Sequence, residues 1–168
     1  DGGASWNVIE SGTRSALYNV DFVNDKEGWI CGQEGLLLHS TDGGKTWERQ
    51  QSGTLTYQFA LDFIDNQNGW MVGDRATHLH TSDGGRTWRQ GKMAKPEGIS
   101  AEEALVSQDP ILYDVQFVDS LTGWIVGEFG KIYHTSDGGK TWAEQQNALL
   151  GEGGVYDVSR GWTARLGA

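Results

Sequence analysis

Four histidines, seven arginines and 23 acidic side chains are the groups of this chain with chemistry to offer. A metal site needs ligands that converge within about 2–2.6 Å of one ion. His39, His80 and His134 occupy one position of a repeated unit, so a fold that arrays the units spreads them apart. His78 and His80 lie two apart, on one face of a predicted strand, without a carboxylate or cysteine of matching spacing. No metal and no cofactor is expected. Cleavage of a sialoside calls for an arginine cluster, a tyrosine nucleophile with its glutamate, and an acidic aspartate. Arg49, Arg86 and Arg89 fall at or beside a repeated turn, on predicted outer strands, and no arginine recurs on inner ones. Glycoside hydrolysis by two facing carboxylates stays open, because acids are plentiful and sequence does not set their separation. No catalytic residue is assigned.

The elements that position these groups come from a repeat. Ser/Thr-x-Asp-Gly-Gly-x-Thr-Trp runs from Ser40 to Trp47, Thr81 to Trp88 and Thr135 to Trp142, and Asp1-Gly2-Gly3-Ala4-Ser5-Trp6 carries the end of another copy. Gly-Trp recurs at Gly28-Trp29, Gly69-Trp70, Gly123-Trp124 and Gly161-Trp162, so all eight tryptophans belong to one motif or the other. From Trp29, Trp70 and Trp124 to the next box aspartate is 13 residues each time. Asp1, Asp42 and Asp83 are spaced 41 apart, whereas Asp83 and Asp137 are 54 apart, an excess of 13.

One period reads as four short strands: Ala16 to Val23, Gly28 to Gly32, Gly35 to Ser40 and Thr46 to Gln50. Phe59 to Ile64 and Leu112 to Val118 open the next two periods. Asp-Gly-Gly suits the turn before each fourth strand, since the carboxylate accepts backbone N–H groups and glycine takes φ > 0 freely. Four strands in about 40 residues predict a propeller blade. The fold class is therefore all-β, a β-propeller of four-stranded antiparallel blades, with about three complete blades and partial ones at both ends. The predicted division is 1–15 as the last strand of a preceding blade (Trp6 to Glu10), blades at 16–56, 57–97 and 98–150, and an incomplete blade at 151–168. An insertion at 92–110 precedes the third blade, and Ser100-Ala-Glu-Glu103 predicts a short helix through about Val106, which either overhangs the central opening or is a solvated excursion. Tyr156 to Gly161 is five residues against ten from Tyr18 to Gly28, so the last blade departs from the pattern. The expectation is a piece of a longer chain, with two copies completing one ring as the alternative.

The box motif resembles the Asp box, or bacterial neuraminidase repeat. The longer pattern from Gly123 to Trp142 is similar to the repeats of the photosystem II stability and assembly factor family and its non-photosynthetic bacterial relatives. The resemblance runs from Asp1 to about Gln146. It implies a propeller of six to eight blades, often in an exported protein, with the boxes on the face away from the ligand site. On that basis Asp42, Gly44, Thr46, Trp47, Asp83, Gly85, Thr87, Trp88, Asp137, Gly139, Thr141 and Trp142 are structural. Burying each ring contributes on the order of 2–3 kcal/mol. The family's implied partner is an assembling membrane subunit docked through a basic patch. This chain is acidic and repeats no arginine cluster, which favours an exported relative that binds another protein or a glycan.

Composition narrows the partners further. A net charge of −10 repels nucleic-acid backbones and anionic membranes. No apolar run reaches the roughly 20 residues of a membrane span. Cys31 is the one cysteine, so no internal disulfide forms. The loops joining second and third strands vary between copies: Gln33-Glu34, Asp74-Arg75-Ala76 and Glu128-Phe129. Glu34, Asp74, Arg75, Glu128 and Phe129 are the candidate partner-binding residues, because variable loops on a rigid scaffold carry contacts. The expected function is a non-catalytic protein-binding scaffold, with a glycan-binding or sialidase-like propeller as the alternative.

Overall fold

The computed structural model describes residues 2–94 and 109–145. The predicted helix and the irregular last blade lie outside them. Among the described residues the chain forms three blades. The first is β1 (Leu17–Phe22), β2 (Gly28–Gly32), β3 (Leu36–Ser40) and β4 (Glu48–Gln51). The second is β5 (Gln58–Phe63), β6 (Gly69–Gly73), β7 (His78–Thr81) and β8 (Arg89–Gln90). After β9 (Lys92–Met93), the third is β10 (Leu112–Phe117), β11 (Gly123–Gly127), β12 (Ile132–Thr135) and β13 (Thr141–Glu144). Each blade is an antiparallel meander in chain order. The first strands of neighbouring blades lie against one another and are the innermost.

Alternation decides which side chains meet between blades. Within each sheet the Gly-Trp tryptophan stands opposite the repeated histidine, in the pairs Trp29 and His39, Trp70 and His80, Trp124 and His134. The first two pairs stack, with ring centroids 4.7 and 5.0 Å apart. The other face of each indole meets the phenylalanine closing the next blade's first strand: Trp29 on Phe63 at 3.7 Å and Trp70 on Phe117 at 3.4 Å. That phenylalanine meets its own blade's box tryptophan edge-on, as Phe63 with Trp88 and Phe117 with Trp142. The indole N–H then donates across the joint, from Trp29 Nε1 to the Gly84 carbonyl at 3.3 Å and from Trp70 Nε1 to the Gly138 carbonyl at 2.9 Å. Two carboxylates complete the joints. Asp21 accepts the Phe63 backbone N–H at 2.8 Å, and Asp62 accepts that of Phe117.

The glycines that begin and end the second strand are steric requirements. A Cβ on Gly73 would stand 1.9 Å from the Tyr57 carbonyl oxygen, so the first strand approaches too closely for any side chain. The thiol of Cys31 lies fully buried, and burial pushes its pKa up to about 12, which leaves it an inert core group.

One expectation is corrected. Trp6 to Glu10 forms no strand, and Trp6 and Val8 are exposed. A fourth strand is held by the ladder to its own third strand, and no such neighbour lies beside it among the described residues. The insertion begins as a short strand. Lys92 and Met93 pair in parallel with Thr141 and Trp142, making β9 a fifth strand on the outer edge of the third blade. The Lys92 N–H bonds the Lys140 carbonyl and the Ala94 N–H that of Trp142, so the edge groups of β13 gain partners.

Replacing Trp70 with alanine removes a fully buried ring that bridges two blades. The expected loss is about 3–5 kcal/mol of stability, measured by urea denaturation. Alanine at Trp124, half-buried and without a ring on its far face among the described residues, costs less than half as much.

Candidate protein-binding face

Each blade has two ends, and the sequence builds them differently. At one end lies the box. Asp42 Oδ1 accepts the Thr46 N–H at 2.9 Å and the Ser40 hydroxyl at 2.9 Å, while Oδ2 accepts the Thr46 hydroxyl at 2.6 Å. Asp83 binds Thr87 and Thr81 in the same way, and Asp137 binds Thr141 and Thr135. The serine or threonine oxygen in turn accepts the N–H of Gly44, Gly85 or Gly139. Both glycines of each box take φ between 72 and 81°, which is why the Gly-Gly pair recurs. Every carboxylate oxygen here faces inward to its own turn. The hydrogen bonds from Thr46 and Thr87 hold Asp42 and Asp83 down at about 2.

At the opposite end lie the turns between second and third strands, with Glu34, Asp74, Arg75, Glu128 and Phe129 on them. The turns share a backbone peculiarity. Glu34, Arg75, Ala76 and Phe129 all have positive φ, from 51 to 59°, a region that disfavours side chains. Phe129 is the extreme case, a bulky ring in that conformation and still 64% exposed. The turns are anchored to the inner strands next to them: the Asp74 N–H bonds the Tyr57 carbonyl, and the Glu128 N–H that of Ile111. The Glu128 carboxylate returns to accept the Ile111 N–H at 2.9 Å, so it braces the turn that presents Phe129. Arg75 and Asp74 form a loose, exposed ion pair at 3.8 Å.

One set of residues at this end was missed by the sequence reading. Each inner strand breaks register at its start, between Leu17 and Asn19, Gln58 and Ala60, and Leu112 and Asp114. The residue left unpaired by each bulge is aromatic: Tyr18, Phe59 and Tyr113. A bulge turns its side chain out of the ladder, and here it brings successive rings together. Tyr18 lies 5.2 Å from Phe59, Phe59 lies 6.2 Å from Tyr113, and Tyr57 adds a fourth ring 6.4 Å from Tyr18. Tyr18, Tyr57 and Tyr113 are exposed. The signal was available, since the three bulge residues recur at the same spacings, 41 and 54, as the box aspartates.

The groups with catalytic or metal-binding chemistry do not gather. His39, His80 and His134 each lie against the tryptophan of their own blade. Among the described residues no three His, Cys, Asp or Glu side chains form a metal-binding group. Burial lowers the pKa of His39, and burial with Lys140 and Arg89 lowers that of His80.

With this geometry in view, the likeness to known proteins is specific. The family model for the photosynthesis system II assembly factor YCF48 matches residues 1–54, 51–107 and 100–159. The chain belongs to this family. The photosystem II assembly lipoprotein Ycf48 of Synechococcus sp. (strain CC9902) is 48% identical over 46 residues, 25% of this chain and 14% of that protein. A structure of YCF48 bound to D1 peptide superposes with a TM-score of 0.66 at 26% identity, over 83% of this chain and 42% of that one. YCF48 from Cyanidioschyzon merolae gives 0.65 at 27% identity, over 84% and 40%. An ancestral GH74 enzyme gives 0.66 at 16% identity, over 89% of this chain and 21% of that one, and is a relative in fold alone. The chain thus spans less than half the length of these YCF48 proteins, and its three blades are part of a propeller.

Acid should destabilise the fold in two stages. Unfolded histidines take up protons near pH 6.5, while folded His39 and His80 resist, so stability falls as pH drops below that value. Unfolded aspartates protonate near 3.8 but Asp42 and Asp83 only near 2, so a second loss runs between those values. Asp62 acts oppositely, because burial raises its folded pKa. Thermal melts from pH 8 to 2.5 should show a plateau above about pH 7 and two falling stages. The His80→Gln variant should flatten the first stage.

Proposed function

We propose that this chain is a non-catalytic scaffold of an exported assembly protein, binding a protein segment on the end of the blades opposite the boxes. The observation that carries the reading is the row of bulged aromatics beside the left-handed turns. Exposed rings in a row cover apolar surface of a partner, and strained turns persist only where the surrounding structure holds them. Such strain at contact residues is a hallmark of binding sites, and Phe129 combines strain with exposure. In this reading Glu34, Asp74, Arg75, Glu128 and Phe129 touch the partner, while the box residues from Asp42 to Trp142 are structural. The blade divisions at 16–56, 57–97 and 98–150 are the units that array the contacts.

Support for a protein partner comes from the YCF48 structure bound to D1 peptide. Support for an exported location comes from the Synechococcus relative, a lipoprotein. A glycan partner is the competing reading, because tyrosine rings also stack on sugars. The acidic surface favours a segment with basic or neutral residues around its apolar anchor.

Fluorescence anisotropy with a labelled D1 peptide, beside a glycan array, separates the readings. The expected result is peptide binding that weakens at least fivefold in Phe129→Ala and in Tyr113→Ala. Phe129→Gly should weaken binding equally yet raise stability by about 0.5–1 kcal/mol, since glycine relieves the positive φ. Specific glycan hits without peptide binding would overturn the proposal.

A further inference from the structure

The joint between the second and third blades differs from the joint before it in what fills its outer end. In the first joint Gln50 lies there, and its side-chain amide donates to the Gly84 carbonyl at 3.2 Å. Counted from the box aspartates, Gly91 takes that place in the second joint. No side chain fits, since a Cβ on Gly91 would stand 2.3 Å from the Gly139 carbonyl oxygen. Instead the backbone crosses at this point from β8 on the second blade to β9 on the third. The Gly91 N–H bonds the His78 carbonyl, and the Lys92 N–H bonds the Lys140 carbonyl of the next blade. A cavity of about 360 Å³ lies beside this crossing, walled by His80 and the box turns of both blades.

Its charge is the reverse of the protein's. The chain carries 23 acidic side chains against 13 basic ones, yet Arg89, Lys92 and Lys140 line the cavity and no carboxylate does. The matching positions of the first joint are Glu48, Gln51 and Arg86, whose charges cancel. Among the described residues Arg75 and Lys131 have ion-pair partners, and the three cations of the cavity have none. His80 registers the difference. Burial lowers its pKa, and Lys140 and Arg89 lower it further with no described acid opposing them, whereas Glu27 and Glu48 both act on His39. Like charges brought together from three elements repel one another, and a bound anion relieves that repulsion.

We propose that this cavity is an oxyanion site, taking a phosphate or sulfate dianion between the second and third blades. Arg89 supplies a planar fork of donors, and Lys92 and Lys140 supply point charges from the neighbouring blade. Ser82 adds a hydroxyl donor from the second blade's box. A dianion gains more from three cations than a carboxylate does, because Coulomb attraction scales with the product of the charges. Such a group reaches the site free in solution or as the terminal ester of a larger molecule. The site sits at the box end of the blades, so it does not depend on the peptide-binding reading of the opposite end.

Titration of the 168-residue chain with inorganic phosphate, just above neutral pH and at constant ionic strength, tests the proposal through the imidazole resonances of the histidines. The expected result is a saturable shift of His80 with one site per chain, and little change in His39 or His134. Sulfate should behave alike, and acetate should bind at least tenfold more weakly. Arg89→Ala and Lys140→Ala should each weaken phosphate binding at least fivefold, and Lys92→Ala at least twofold. Arg49→Ala, which removes a cation of the first blade outside the cavity, should leave the affinity unchanged within twofold. These four side chains are exposed, and circular dichroism checks that each variant is folded. Phenyl phosphate separates the two sources of the dianion. Affinity kept within fivefold assigns the group to a larger molecule, and a greater loss assigns the free ion. Shifts that never saturate, or that chloride reproduces, would overturn the proposal. So would acetate binding as tight as that of phosphate, or phosphate affinity unchanged by Arg89→Ala and Lys140→Ala.

Discussion

An indole held between two other rings fixes both the distance and the rotation between neighbouring blades. Trp29 and Trp70 each have one face on a histidine of their own sheet and the other on a phenylalanine of the next. Stacking alone leaves the rings free to slide. The indole N–H removes that freedom by bonding a carbonyl inside the next blade's box. That carbonyl is placed by a left-handed Gly-Gly pair, and the pair is held by the box aspartate and its hydroxyl neighbour. The box is therefore more than a turn of its own blade, because the preceding blade docks into it.

This dependence explains why two motifs, rather than one, repeat in every blade. Gly-Trp supplies the ring and the next blade's box supplies the acceptor, 55 residues on for Trp29 and 68 for Trp70. The insertion of 13 residues falls between blades, where it changes no distance within a joint. Its first residues lie along the outer edge of the third blade as β9, and they protect a strand edge instead of altering the interior.

The sequence pattern revealed the blades because it is written in rare residues at constant spacing. Gly28 to Gly32 matches β2 residue for residue, and the first strands agree within one residue at each end, as in Gln58–Phe63 against the predicted Phe59 to Ile64. What stayed hidden was pairwise. Phe22, Phe63 and Phe117 recur at the period, yet nothing in one blade's sequence says that its phenylalanine belongs to the preceding blade's tryptophan. The bulges at Tyr18, Phe59 and Tyr113 were hidden for a related reason. A run such as Leu-Tyr-Asn-Val-Asp-Phe reads as plain alternation, and only the register against β2 exposes the residue that pairs with nothing. The strand β9 could not be read at all, since Lys92 and Met93 gain their partners from a strand 49 residues further on. Likewise the histidines look like ligands in a list of residues and like stacking partners once the cross-strand pairs are known.

The two ends of a blade are thus under opposite demands. At the box end every oxygen of the key carboxylate is engaged, and a change there disturbs two blades through the N–H acceptor. At the turn end the backbone anchors run to the adjacent inner strand, as from Asp74 to Tyr57 and from Glu128 to Ile111, and leave Glu34, Arg75 and Phe129 exposed. A substitution of Phe129 or Glu34 alters what the surface offers without loosening a joint. Variation between copies is found at that end, where Gln33-Glu34, Asp74-Arg75-Ala76 and Glu128-Phe129 share a left-handed backbone but almost no chemistry. With common geometry and differing side chains, the scaffold sets where each turn lies and the sequence of each turn sets what it presents. The aromatic row beneath the turns follows the opposite rule, with rings of one type repeated from blade to blade. Its neighbouring rings lie 5.2 to 6.4 Å apart, and the turns supply the differences between one blade and the next.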